Sequence, residues 1–186
     1  YRLAAGWAAL AVALLLIVAC YFSAYGPVMR CQTRLRLAER EPSRAIAHLE
    51  AAAAADPLDA EPWRRLAEIR FAAWRLRPDA ERFALFVAAR DKVLALAPNS
   101  SPDWLTAGDR ALRAATRIGP ENRPEAEALL RFSIAAYRRA VELYPNSPLH
   151  RAKLAEALLA SGDSVNFRRE AKFALWLDAI TPHLNK

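Results

Sequence analysis

Three histidines, two cysteines and 20 acidic side chains are the groups in this 186-residue chain that could do acid–base, nucleophilic or metal chemistry. Their spacing argues against all three. His48, His150 and His183 are scattered, with no HxxxH or HExxH pair to bring two imidazoles to one face of a helix, and no glycine-rich loop is present to cradle a phosphate. His48 within a helical stretch and His150 near a helix start read as ordinary surface or groove residues. Cys20 and Cys31 lack CxxC spacing, and Cys20 falls inside an apolar run, so neither a disulfide between them nor a metal site is expected. The carboxylates are interleaved with arginines on solvated helix faces, where a pair contributes about a few tenths of a kcal/mol. The expectation is a segment with no catalytic residue, no cofactor and no metal, acting by binding.

An internal repeat must position any binding surface, and repeats are read first. In Asp56-Pro57-Leu58-Asp59-Ala60-Glu61-Pro62-Trp63 a proline closes one helix, a polar turn follows, and a tryptophan three residues before Leu66 opens the next. The same beats return from Ala97-Pro98 to Trp104 and Gly108, and from Tyr144-Pro145 to Leu154 and Ala155. Alanine-rich helix formers dominate and no alternating β-branched run suggests a strand, so the fold class is all-α. The expected helix pairs are Val28 to Glu39 with Pro42 to Pro57, Pro62 to Leu76 with Ala80 to Ala97, Pro102 to Arg117 with Glu125 to Tyr144, and Pro148 to Ala160 with Asn166 to Ile180. Phe83, Phe86, Val87 and Leu94 form one inward stripe. Ala126, Leu129, Leu130, Ser133, Ile134, Tyr137, Val141 and Tyr144 form another, with the cleanest helical period in the chain. The tail from Thr181 to Lys186 reads as a short extended end.

These beats resemble the tetratricopeptide (TPR) family, a helix–turn–helix unit of about 34 residues with a W-x2-L-G-x2-Y…A-x3-F…P pattern. Trp63 and Leu66 match in one unit, with Ala67 in place of the small Gly; Trp104 and Gly108 match in the next; Leu154, Ala155 and Leu158 match in the last, with Arg151 in place of Trp. Tyr137, Ala140 and Pro145 fall on second-helix positions, as do Ala45, Leu49, Ala52 and Pro57 of a preceding partial unit. The resemblance covers roughly residues 43 to 178 and is divergent: Pro57, Pro98 and Pro145 stand farther apart than one family unit, the excess falling around Leu76 to Ala80 and Ile118 to Pro124. It implies an α-solenoid of about three to four TPR-like pairs, with Trp63 and Trp104 as core wedges. It also implies a concave groove lined by first helices, and carrying those positions over gives Arg64, Glu68, Phe71, Leu105, Asp109, Leu112, Arg113 and Glu156, flanked by Ala152 and Leu159. A protein or peptide partner would lie there. Because Glu68, Asp109 and Glu156 stand where carboxylate-clamping members need Asn, that clamp is not expected.

From Leu3 to Tyr25 the chain has no charged residue, which is long enough to span a bilayer at about 20 residues. Trp7 near its start and Tyr21, Phe22 and Tyr25 near its end suit the two interfaces, and Gly26-Pro27 marks an exit or a kink. The expected division is a transmembrane helix over 1–27 and a repeat domain over 28–186. A buried soluble helix is the plain alternative. A lipoprotein signal ending Ile17-Val18-Ala19-Cys20 is the other, opposed by the apolar run beyond the cysteine. Arg30, Arg34, Arg36, Arg40 and Arg44 follow the span, which by the positive-inside rule places the repeats in the cytoplasm, with a periplasmic placement as the alternative. The net charge of +7 and pI near 9.9 are spread along helices without an aromatic–basic module, so no nucleic-acid partner is expected; the juxtamembrane arginines suit anionic lipid. Since residue 1 is Tyr, the segment reads as part of a longer protein. A span followed by divergent TPR-like repeats resembles the C-terminal region of bacterial O-antigen ligase or polymerase family proteins of the inner membrane; a single-span or lipid-anchored scaffold is the alternative.

Overall fold

The computed structural model describes residues 2–118 and 123–180; side chains of residues 2–6, 8 and 9 are not described. The expected tail from Thr181 to Lys186, with His183, and the centre of the connection at 119–122 lie outside these residues. Helix α1 (Arg2–Cys20) continues through one π turn (Tyr21–Tyr25) into α2 (Gly26–Arg40). Pro27 accounts for the wide turn, because its ring has no N–H and crowds the carbonyl four residues back. The Gly26 N–H instead donates to the Tyr21 carbonyl, and the Ser23 hydroxyl to the Ala19 carbonyl at 2.7 Å. The chain therefore passes Gly26-Pro27 as continuous helix instead of breaking there. Leu10–Arg40 is the one helix among the described residues that is long and apolar enough to cross a membrane, and none of its apolar window is buried in protein.

Two compact units follow, divided after Leu96. In the first, a short 3₁₀ turn (Pro42–Arg44) joins α2 to α3 (Ala45–Ala55), followed by α4 (Glu61–Leu76) and α5 (Ala80–Leu96). Cys31, Leu35 and Ala38 of α2 and Leu49, Ala52 and Ala53 of α3 are buried where those helices pack, so the expected partial unit has both of its helices. Arg65 of α4 reaches Glu39 of α2 at 2.6 Å, and Arg70 reaches Glu50 of α3 at 2.7 Å. Pair α4–α5 closes on aromatic rings: Phe71 on Phe86 with centroids 4.9 Å apart, and Trp74 on Phe83 at 5.3 Å.

The second unit contains α6 (Ser101–Ala115), α7 (Arg123–Leu143), α8 (Pro148–Ala160) and α9 (Ser164–Ile180). Helix α6 packs antiparallel on α7, α7 on α8, and α8 on α9. Leu112, Tyr137, Leu154, Ala157 and Leu158 form its core, with Leu130, Ile134 and Val141 packed against it, as the α7 period predicts. Tyr144 departs from that stripe: it is 62% exposed and leans on the His150 ring. Pro62, Pro102 and Pro148 occupy the first turns of α4, α6 and α8, where a missing N–H costs nothing, while the repeat's Pro57, Pro98 and Pro145 lie in the turns before them. Asp59, Asp79, Ser147 and Asp163 accept the backbone N–H groups of Glu61, Arg82, His150 and Asn166 at helix starts. Gly162, at φ +83°, supplies the left-handed residue that turns α8 into α9. No strand occurs among the described residues, and the chain is an all-α protein of TPR-like helix pairs.

Candidate functional site

Helix α6 owes its position to Gly108. A Cβ there would stand 2.8 Å from the Tyr137 ring, so only glycine lets α7 approach this closely. Two hydrogen bonds fix the crossing: the Ser133 hydroxyl donates to the Gly108 carbonyl at 3.1 Å, and the Tyr137 hydroxyl donates to Asp109 Oδ1 at 2.6 Å. Burial, with the Asp109 carboxylate beside it, pushes the Tyr137 phenol far above its ordinary value and keeps it a donor. At the first residue of α6, Ser101 Oγ donates to the Ala140 carbonyl at 3.2 Å and lies 3.1 Å from His150 Nε2. Nδ1 of His150 is buried without a partner, and burial lowers the His150 pKa. A neutral imidazole fits that setting.

Asp109 then carries the crossing outward. Its Oδ1 also meets Lys153 Nζ of α8 at 3.3 Å, and Lys153 meets Glu156 Oε2 at 3.1 Å. Burial opposes the Lys153 charge, but the Glu156 hydrogen bond and the Asp109 carboxylate outweigh it and raise the pKa. The first helices of two successive pairs are thus bridged side by side. Helical spacing puts Leu105, Asp109 and Arg113 on one stripe of α6, and Ala152, Glu156 and Leu159 on one stripe of α8. Leu105 is half-buried against the core, while Arg113, Glu156 and Leu159 are exposed. The result is a mixed face with acids held in place at its centre and a cation and apolar groups at its flanks.

Of the eight expected groove residues, Leu105, Asp109, Arg113 and Glu156 share this α6–α8 face. Leu112 is buried in the core beneath it and cannot touch a ligand without unpacking. Arg64, Glu68 and Phe71 lie on α4 of the first unit. There Arg64 bonds Glu61 at 3.4 Å, Glu68 is exposed, and Phe71 is buried between Trp74 and Phe86. Phe71 and Leu112 hold the helices and do not form a surface: each stands three residues on from the groove stripe, Phe71 from Glu68 and Leu112 from Asp109, a step that rotates it about 60° to the packed side of its helix.

The tryptophan position behaves differently from the expected wedge. Trp63 and Trp104 are only half-buried, and Trp104 Nε1–H donates to the Pro98 carbonyl six residues back, at 2.9 Å. Arg151, which replaces the tryptophan in α8, does the same: its Nε–H donates to the Pro145 carbonyl six residues back, at 3.1 Å. It also covers the Phe173 ring at 4.2 Å and pairs with the buried Glu170 at 2.9 Å. In α6 and α8 the position serves as a donor that ties the helix to the preceding turn. The constant interval from Pro98 to Trp104 and from Pro145 to Arg151 was the signal for this role. Lys153 has no comparable signal, since a lone lysine on an α-helix points to no particular partner. Trp74, a true core ring, lies outside every motif position of the repeat.

Among the described residues no group of three or more His, Cys, Asp or Glu side chains is arranged to hold a metal. Cys20 is exposed, and Cys31 is a buried free thiol whose Sγ–H donates to Asp59 Oδ2 at 3.4 Å. Burial, then Asp59, push the Cys31 thiol up to about 12, which leaves it unreactive.

No family model and no curated protein matches this chain. Solved structures do. Two crystal structures of MamA, a TPR-like all-helical protein, match at 16% identity: one with a TM-score of 0.62 over 82% of this chain and 75% of that one, the other with 0.61 over 87% and 84%. A further structure, MamA MSR-1 C2, matches at 16% identity with a TM-score of 0.57 over 81% of this chain and 78% of that one. At this identity the likeness shows the fold, and the fold of this chain is TPR-like.

Proposed function

We propose that this chain is a membrane-attached TPR-like interaction module, with a span over 1–27 and a repeat domain over 28–186, and that a partner segment lies along the α6–α8 face. The observation that carries the reading is the Asp109–Lys153–Glu156 bridge, which joins two first helices and leaves Glu156, Arg113 and Leu159 available at its edges. An extended peptide or an amphipathic helix with a cation near Glu156, an acid near Arg113 and an apolar side chain near Leu159 fits that pattern. Exchanging the two exposed charges, Arg113→Glu with Glu156→Lys, keeps the net charge. It should abolish recovery of a membrane-associated partner in a pull-down while helicity is unchanged. Recovery at the parental yield would contradict the reading, and turnover by the purified chain on lipid-linked glycan would overturn its non-enzymatic character.

The parent protein and the side of the membrane belong to the same proposal. Helix continues through Cys20 into the π turn, which supports a span over a lipidated start at that cysteine. That favours a spanning parent over a lipid-anchored scaffold; we read the parent as a multi-pass bacterial O-antigen ligase or polymerase-type envelope protein, with a single-span scaffold as the alternative, and the upstream gene sequence decides: many further spans for the former, a Met a few residues before Tyr1 for the latter. Arg30 to Arg44 support a cytoplasmic repeat domain in the inner membrane. An alkaline phosphatase fused after Lys186 should then be inactive, and strong activity would move the domain to the periplasm.

A further inference from the structure

The arginines just beyond the span are handled differently from those in the helix pairs. Arg65, Arg70, Arg82, Arg139 and Arg151 each meet a carboxylate. Arg34, Arg36, Arg40 and Arg44 are in no ion pair among the described residues, and Arg30 bonds only to the Gly26 carbonyl of its own helix, at 3.3 Å. Helical side chains lean towards the N-terminus, so this bond turns the Arg30 guanidinium back towards the span, and Arg34 lies one turn behind it on the same face. Both line an open groove of about 620 Å³ between α2 and α3. Its other walls include Met29, Leu37, Ala51 and Ala55, and no carboxylate lines it. The acids nearest in sequence are turned elsewhere: Asp56 accepts the Leu58 N–H, and Asp59 accepts the Glu61 N–H and the Cys31 thiol. At 1.5 Å per residue, Arg30 and Arg34 stand roughly 6 and 12 Å beyond Gly26, at the depth of lipid head groups if Tyr21 to Tyr25 mark the interface.

The geometry points to a binding site for an anionic phospholipid of the same leaflet, its phosphate between Arg30 and Arg34 and its glycerol and upper acyl carbons on the membrane side of them, against Met29 and Ala55. Charge complementarity, the absence of a carboxylate partner for either arginine among the described residues, and continuity with the span all select this occupant. Such a lipid would couple the tilt of the first helix pair to the bilayer. The site rests on reading α1 as a span.

The test uses the full chain reconstituted in vesicles of phosphatidylcholine mixed equally with phosphatidylglycerol, then extracted in mild detergent, with co-purifying lipid quantified by mass spectrometry. Phosphatidylglycerol should be enriched over its share of the vesicle. Arg30→Gln with Arg34→Gln should lower the ratio of co-purified phosphatidylglycerol to phosphatidylcholine by about 30-fold, taking roughly fivefold for each basic residue near an anionic surface. Ala54→Trp, which fills the groove from the exposed edge of α3 and leaves every charge in place, should also remove the enrichment. If Ala54→Trp keeps the parental enrichment, the attraction is delocalised and the groove is overturned, as it is if the parent shows no enrichment. A chain that does not insert into the vesicles overturns the span itself, and this outcome is distinct from the other two.

Discussion

Pair α4–α5 is held by four aromatic side chains, Phe71, Trp74, Phe83 and Phe86, whose centroids lie 4.9 to 6.0 Å apart. Pair α6–α7 is held by a glycine pressed against a tyrosine, and by directed hydrogen bonds from Ser101, Ser133 and Tyr137. Dispersion between rings has little directional demand, so the first pair fixes volume more than register. Hydrogen bonds at 2.6 to 3.2 Å fix register, because a one-residue slip would leave buried hydroxyls unpaired. The second arrangement also has an outlet: Asp109 accepts from buried Tyr137 on one side and meets Lys153 on the other. The face proposed for a partner is therefore positioned by a buried polar crossing. An aromatic core of the α4–α5 kind could not orient it so narrowly.

The largest expected effect breaks both pairs alike. Phe86→Ala and Tyr137→Ala each remove a fully buried ring and should cost about 3–5 kcal/mol in denaturant unfolding followed by helical circular dichroism. They should separate in a second readout: Phe86→Leu should recover much of the loss, whereas Tyr137→Leu should not, since Asp109 loses its donor. Equal rescue would remove the contrast drawn between the pairs.

Gly108→Ala comes next. A helix ordinarily gains about 1 kcal/mol from this change, but here the added methyl meets the Tyr137 ring, so a net loss of about 1–3 kcal/mol is expected from overpacking. A stabilised variant would mean that α6 and α7 are not in close contact there. Smaller still, Trp104→Phe keeps the apolar bulk and deletes the donor to Pro98, at a cost of about 1 kcal/mol. Arg151→Met should cost more than Trp104→Phe, because it also takes from the buried Glu170 carboxylate one of its two arginines and leaves only the exposed Arg169.

A pH titration gives the finest distinction. His150 has a folded pKa below its ordinary value of 6.5, so the unfolded chain binds a proton first as pH falls. Stability should be full above about 6.5 and decline as pH drops through that value towards the lower folded pKa. His150→Gln should flatten this decline in the α6–α8 region. A decline of the same size in the variant would remove His150 as its source; Asp79 and Asp163, whose pKa values are lowered by their hydrogen bonds with Arg82 and Asn166, lose their contribution only in the more acid range where ordinary carboxylates titrate.

Much of the fold was legible because prolines, small residues and apolar spacing all agree: helix limits expected at Pro62, Pro102, Pro148 and Ala160 fall within a residue of those observed. The excess length is taken up by helices of 16, 17 and 21 residues in α4, α5 and α7 and by the connection after α6. Less of the face was legible. Period places Phe71 and Leu112 on the right stripe of their helices, but depth depends on how far the next helix encroaches, which no local pattern encodes. The Gly26-Pro27 pair reads as an exit or a kink, and only the backbone shows that one π turn carries the helix past it.

A photo-reactive amino acid placed singly at Arg113, Glu156 or Glu142 and activated in intact membranes addresses the α6–α8 face directly. Arg113 and Glu156 lie on it, and Glu142 is an exposed position of α7. The account predicts discrete cross-linked species at 113 and 156 and none at 142. Adducts of equal yield at all three, or at 142 alone, would contradict it.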